Sequence, residues 1–294
     1  MVPLLKMSVA SKGLVLPEFA AVFLALKAGS LKLKPPQVDM LTASTDIASL
    51  EAVTTAVETA IRDLRAAGRL EPHSYQLLSD VDDTLFPNPF LGVGGVDVRP
   101  VPRVRGGGYP GVSLIGRIFG HLPVLLVSGA PRELIRVSKA ARALEHEAVF
   151  GGAGGDLTSA WALLGAFATA KEGLYRGMAL RKARVFYTYS ELLKRKPGAE
   201  HVKLLFLGDD GQGDVEAAMY GLECKALAHA FIHKVHPERR EEKRCRNLHY
   251  FCDYAEMLRK LEDILPVTKL VSNAERERLG PETRYADKCR RARL

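Results

Sequence analysis

The chain has 294 residues, 47% hydrophobic and 26% charged, with a formal net charge of +8. That size supports one generous core, or one domain with appendages, and the composition excludes wholesale disorder. The positive balance favours anionic partners, whether nucleic acid, phosphorylated metabolites or an acidic lipid surface, without choosing among them.

Residues 1–43 read as an appendage that ends in the run LKLKPPQ. Its one long apolar stretch, Gly13 to Leu26, is interrupted by Pro17 and Glu18 and is too short to span a bilayer. A helix packed on the domain is the preferred reading. Lys6 and Lys12 before the stretch and Ala-Gly-Ser after Lys27 leave a cleaved targeting segment as the alternative. Residues 44–70 read as a packing helix, because Ile47, Leu50, Val53, Val57, Ile61 and Leu64 form one apolar stripe at three- and four-residue steps. Thr45 suits its N-cap, Asp46 its first turn and Gly68 its stop.

From residue 71 to 266 the rhythm changes. YQLLSD (75–80), PVLLVSG (123–129) and KLLFLGDD (203–210) are short apolar runs that end in small or acidic residues. Buried strands alternating with helices predict a doubly wound α/β domain with a mostly parallel sheet. ECKALAHAFI (223–232) is expected as a further strand, and Pro131 to about Glu147 as a helix with Leu134, Val137, Ala141 and Leu144 on one face. GGAGGD (151–156) lacks the strand-loop-helix context of a dinucleotide site and reads as a turn. The stretch 267–294 reads as a basic, solvated tail. Cys224, Cys245, Cys252 and Cys289 form no dense framework, which points to a reducing compartment. A zinc site built from Cys245, His249 and Cys252 with His233 and His236 lacks CxxC spacing and is set aside.

The three strand runs end in SDVDDT, VSGAP and LGDDGQGD. In a doubly wound sheet, ligands bind beyond the carboxyl ends of the strands, so these tips are expected to meet. They would gather Asp80, Asp82, Ser128, Asp209, Asp210 and Asp214. So many carboxylates require a cation, and an all-oxygen set suits a hard ion such as Mg²⁺ beside a substrate phosphate. One carboxylate can then attack phosphorus while another, two residues along, handles the leaving group's proton. A helix opening at Pro131 would add free N–H groups for the same anion.

Asp80-Val-Asp82-Asp-Thr84 after an apolar strand, Ser128 after PVLLV, and Gly208-Asp209…Asp214 after LLFL resemble, in order, three motifs of the haloacid dehalogenase-like superfamily. The resemblance implies a magnesium-dependent phosphatase with Asp80 as nucleophile and Asp82 as general acid and base, both near the metal. It implies that Ser128 binds phosphate and that Asp209, with Asp210 or Asp214, holds magnesium. Thr84 would support the loop. The superfamily's lysine, implied to bind phosphate with Ser128, heads the helix before the fourth strand; Lys182 fits best, with Lys194, Lys196 and Lys203 left open. More narrowly, SDVDDTL, YPG, VSGAP, EGLYRGMALRK, LGDDGQGDVEAAMYG and HAFIHKV resemble the catalytic domain of the actin-patch-associated phosphatidate phosphatases. That family is implied to convert phosphatidate to diacylglycerol. SGAP lacks a bulkier residue before proline, and HAFIHKV carries histidine where arginine is commoner.

Between Asp80 and Ser128, FPNPFLGVGGVDVRPVPRVRGGGYPG is too rich in glycine and proline for a packed helical cap, and a flap or short hairpin is expected. An uncapped site favours large or membrane-borne substrates. Arg99, Arg103 and Arg105 in this insert either meet a phosphorylated lipid surface or are solvated loop charges. The expected setting is cytoplasmic and peripheral on membranes, with no transmembrane span, and organelle targeting by the N-terminal segment is the alternative. Rival functions are a protein or nucleotide phosphatase with the same machinery, and a membrane or scaffold adaptor with dispensable catalysis. No nucleic-acid partner is expected, because the chain lacks an aromatic-basic stacking pattern.

Overall fold

The structure is a computed structural model that describes residues 47–68, 74–87, 107–131, 137–155, 171–211, 213–235 and 245–265. In chain order the elements are α1 (Ile47–Ala66), β1 (Tyr75–Ser79), α2 (Val112–Ile118), β2 (Val124–Pro131), α3 (Val137–Leu144) and β3 (Val149–Gly155). They continue as α4 (Lys171–Lys194), β4 (Lys203–Asp209), α5 (Asp214–Glu223), β5 (His229–His233), β6 (Leu248–Phe251) and α6 (Tyr254–Glu262). The six strands form one sheet in the order β3-β2-β1-β4-β5-β6, and every pairing is parallel.

The strands read as continuous apolar runs because both faces of the sheet are covered. Successive side chains alternate between two cores. Leu77, Leu126, Leu205 and Phe231 face one core, which is closed by Ile115 of α2, Leu144 of α3 and Met257 of α6. Leu78, Leu125, Phe206 and Ile232 face the other, closed by Val57 of α1, Phe186 of α4 and Ala218 of α5. The stripe of α1 behaves as its spacing predicts: Leu50, Val53, Val57 and Ile61 are all buried. Each such side chain contributes about 1.5–3 kcal/mol of burial. Gly68, at φ 64, follows the helix end as expected.

Several expectations change. Pro131 closes β2, paired with Gly155 of β3, instead of opening a helix, and among the described residues α3 spans Val137–Leu144. Proline fixes its own φ and biases the residue before it toward extended backbone, so VSGAP continues the strand. The expected helix N-terminus at Pro131 is therefore not there. The glycines of GGAGGD that were read as a turn belong mostly to edge strand β3, which pairs with β2 through two register shifts. Glycine tolerates such irregular pairing. The fourth expected strand starts at His229 rather than Glu223, because Glu223 ends α5 and Lys225, at φ 59, turns the chain. Helices α2 and α6 and strand β6 were not anticipated.

The appendage 1–43, Thr45 and Asp46, the three insert arginines and the tail 267–294 lie outside the described residues. Among the described residues, no helix is long and apolar enough to cross a membrane.

Candidate functional site

From β1 the chain winds outward through β2 to β3, then returns to place β4 on β1's other side. The carboxyl ends of β1 and β4 thus flank the point where the winding reverses, where open α/β sheets form their binding crevice. Asp80 follows β1 directly, and its N–H donates to the Leu207 carbonyl of β4 at 2.8 Å. Asp209 ends β4, and Asp214 opens α5 behind Gly213, whose φ of 86 suits glycine. Gly208 is required by close approach. A Cβ there would lie 2.5 Å from Asp214 Oδ2 and 2.7 Å from Phe206 Cε1.

Lys182 joins these tips. It is buried, with Nζ 2.9 Å from Asp80 Oδ1 and 2.5 Å from Asp214 Oδ1. It stands in the middle of α4 rather than at its head, and the length of that helix accounts for the long interval to Gly208. The other three lysines are elsewhere. Lys194 pairs with Glu191, Lys196 is 3.7 Å from Glu58, and Lys203 opens β4 at the far end of the sheet, over the Tyr75 ring.

Asp80, Asp209 and Asp214 are all buried, and each offers a carboxylate oxygen within 4.8 Å of the others. With all three carboxylates ionised, the one ammonium among them would leave two negative charges in excess. Burial alone would lower the Lys182 pKa, but Asp214, Asp80 and Asp209 outweigh it and hold the ammonium above its usual range. Burial, then Asp214 and Asp80, drives Asp209 well above the carboxylate range. Burial also pushes Asp214 up to about 7 against the pull of Lys182, with Asp80 adding to the rise. Two buried oxygens, Asp80 Oδ2 and Asp209 Oδ2, have no hydrogen-bond partner. Buried polar atoms are rarely left so. A divalent cation would cancel the excess charge and give both oxygens a ligand, and oxygen donors alone suit a hard ion. The residues present fit such an ion. Among them Asp214 is the least open, because Lys182 holds its Oδ1 and the Asp209 N–H donates to its Oδ2 at 3.4 Å.

Asp82 and Asp210 were expected among the metal carboxylates and stand outside this group. Consecutive residues of an extended segment face opposite ways, so Asp210 turns away from Asp209. Its Oδ1 accepts from the Val235 N–H at 2.8 Å, and its own N–H donates to the His233 carbonyl at 3.0 Å. Asp82 is half-buried and begins a tight turn that bridges to Phe86, with Asp83 in the left-handed region at φ 57. Thr84 lies in that turn, buried, with Oγ1 unpartnered and its carbonyl accepting from Tyr254. Ser128 is buried on β2, two residues beyond the Ser79–Leu126 pairing and so at the same end of the sheet. Of the zinc candidates, His236 lies outside the described residues. His249 stacks on Phe231 and His229, His233 stacks on Phe251, and the aspartate group is the only metal-capable cluster among the described residues.

Of the two residues that hold the Asp82 turn, His233 was weighed in the sequence as a zinc ligand, and Tyr254 was not singled out. A signal existed for the second. Asp253 and Glu256 cap α6, Asp253 accepting from the Glu256 N–H at 2.8 Å, and that D-x-x-E spacing places Tyr254 at a helix start. Comparison with family models, with curated proteins and with solved structures finds no match to this chain.

Proposed function

We propose that this chain is a magnesium-dependent phosphomonoester hydrolase working through an aspartyl-phosphate on Asp80, with phosphatidate as its leading substrate. One observation carries the reading. Two unpartnered carboxylate oxygens, Asp80 Oδ2 and Asp209 Oδ2, are buried beside Lys182 where the sheet's winding reverses. Held by Asp80 and Asp209 with Asp214 beside them, magnesium would screen the phosphoryl charge from the attacking carboxylate.

Lys182 fixes Asp80 through Oδ1, which orients the carboxylate. Asp80 attacks phosphorus, and the bond from phosphorus to the leaving alcohol oxygen breaks. Asp82 gives its proton to that oxygen. Water then attacks the phosphorus of the aspartyl-phosphate and passes a proton to Asp82, which releases inorganic phosphate and restores Asp80. The Ser128 hydroxyl donates to a phosphoryl oxygen. Lipid as substrate, and work at a cytoplasmic membrane surface, rest on the motif series shared with the phosphatidate phosphatases.

Phosphate release from phosphatidate in mixed micelles, with magnesium or chelator, tests both parts. Asp80→Asn is expected to lose on the order of 10⁴-fold in kcat. Turnover of an aryl phosphate without turnover of lipid would keep the phosphatase and discard the substrate. Undiminished release by Asp80→Asn would sink the mechanism.

A further inference from the structure

Asp82 contributes only if its carboxyl stays at the leaving oxygen, yet the turn that carries it contains a strained residue. Asp83, in the left-handed region, donates its N–H to the Phe86 carbonyl at 2.9 Å, and the Leu85 N–H donates to the Val81 carbonyl at 3.0 Å. The two carbonyls that immediately follow Asp82 are each taken by a side chain from the other end of the chain. The Tyr254 hydroxyl of α6 donates to the Thr84 carbonyl at 2.5 Å. His233 Nδ1, on β5, lies 3.1 Å from the Asp83 carbonyl. A carbonyl only accepts, so that nitrogen carries the proton.

Both donors are themselves held. His233 is buried, stacked on Phe251 at 5.0 Å and met edge-on by Tyr109 at 4.8 Å. Tyr254 packs against the same two rings, 5.7 Å from His233 and 5.3 Å from Phe251. Tyr109 also donates its N–H to the Leu85 carbonyl of the turn at 2.9 Å. The His233 carbonyl accepts from the Asp210 N–H, next to Asp209. His233 thus ties the segment carrying Asp209 to the one carrying Asp82.

We propose that His233 and Tyr254 are positioning residues that clamp the Asp82–Phe86 turn and so hold the Asp82 carboxyl against the leaving oxygen. The catalytic half of this rests on the phosphatase reading; the clamp itself does not.

The test compares an alkyl phosphate, whose oxygen must be protonated to leave, with an aryl phosphate, whose oxygen leaves readily without a proton. Tyr254→Phe, which removes one hydroxyl, is expected to lower kcat on the alkyl substrate about 3- to 10-fold with little change in KM. The loss on the aryl substrate is smaller. His233→Phe, which keeps the ring and loses the donor, shows the same skew, and Asp82→Asn shows it more strongly. Tyr189→Phe removes a comparably buried hydroxyl bonded to Gln76 and leaves the ratio of the two rates unchanged. Equal losses on both substrates in Tyr254→Phe and His233→Phe would overturn the positioning role. Amide hydrogen exchange reads the clamp without turnover. The Asp83, Leu85 and Phe86 amides are expected to exchange faster in Tyr254→Phe while those of β1 do not change, and identical exchange would overturn the clamp. If the wild type turns over neither phosphate, the phosphatase reading falls and exchange alone decides the clamp.

Discussion

The two ends of the central strands bury polar groups equally deeply and treat them in opposite ways. At the amino end, Gln76 donates to the Pro123 carbonyl at 2.8 Å and accepts from the Tyr189 hydroxyl at 3.0 Å. Nearby, His146 Nε2 lies 3.0 Å from the Leu122 carbonyl, while its Nδ1 accepts from the Ala148 N–H at 3.0 Å. Gln76, Tyr189 and His146 are each partnered there. At the carboxyl end, Asp80, Asp209 and Asp214 surround one ammonium, and two of their oxygens have no partner. Gln76 and Asp209 are both at 0% exposure, so depth does not separate the ends; pairing does. The satisfied end contributes stability, and the unsatisfied end stores a demand for a ligand.

The sharpest way to break this contrast is Lys182→Met. Removing the ammonium leaves Asp80 and Asp214 buried without compensation, and a loss of about 3–5 kcal/mol is expected from denaturant unfolding in chelator. A loss under about 1 kcal/mol would mean that the carboxylates are not charged together.

Asp209→Asn separates ligand demand from stability. In chelator this variant is expected to melt above the wild type, because one of three crowded carboxylates is gone. Magnesium at a hundred times its dissociation constant is expected to stabilise the wild type by about 2.7 kcal/mol and to leave the variant unmoved. Equal magnesium responses in the two proteins would put the ion elsewhere.

At the satisfied end, Tyr189→Phe leaves Gln76 Oε1 short of its donor and is expected to cost about 1–3 kcal/mol. Activity per folded molecule should be unchanged; a fall in kcat would erase the division of labour between the ends.

The smallest effect concerns protons at that same end. Burial first, then His229 and Lys260, lowers His249 to about 4, and burial with Lys203 lowers His229. A depressed histidine binds fewer protons folded than unfolded. Its contribution is therefore complete above about 6.5 and is lost as the pH falls toward 4. Between pH 7 and pH 5 the urea midpoint should drop less in His249→Gln than in the wild type. The ring is half-exposed, so the difference is modest.

Much of this organisation was legible in the chain, and what was not has physical causes. β1, β2 and β4 announce themselves because central parallel strands are apolar on both faces, and their acidic or small ends mark the crevice. Those ends alone gathered Asp80, Asp209 and Asp214, together with Asp82, Ser128 and Asp210, which stand outside the cluster. β3 was hidden, since VFGGAGG carries the composition of a turn and becomes a strand only through its pairing with β2. β6, four residues mostly half-exposed, gives too short a pattern to read. Asp210 stands apart from the cluster, because alternation sends the two halves of the doublet Asp209-Asp210 in different directions. Lys182 was the best fit in the sequence, and its pairing with Asp80 and Asp214 sets it apart from the three lysines left open.

The Asp80–Leu207 hydrogen bond has a consequence for how the protein comes into being. β1 finds its β4 neighbour only after most of the chain has been made, and closing so long a loop is entropically slow. During synthesis Asp80 must therefore wait, with β1's second edge open, until β4 and the start of α5 leave the ribosome. The carboxylate group is a late acquisition, and a nascent chain stopped before Lys203 would hold Asp80 without Asp209 and Asp214.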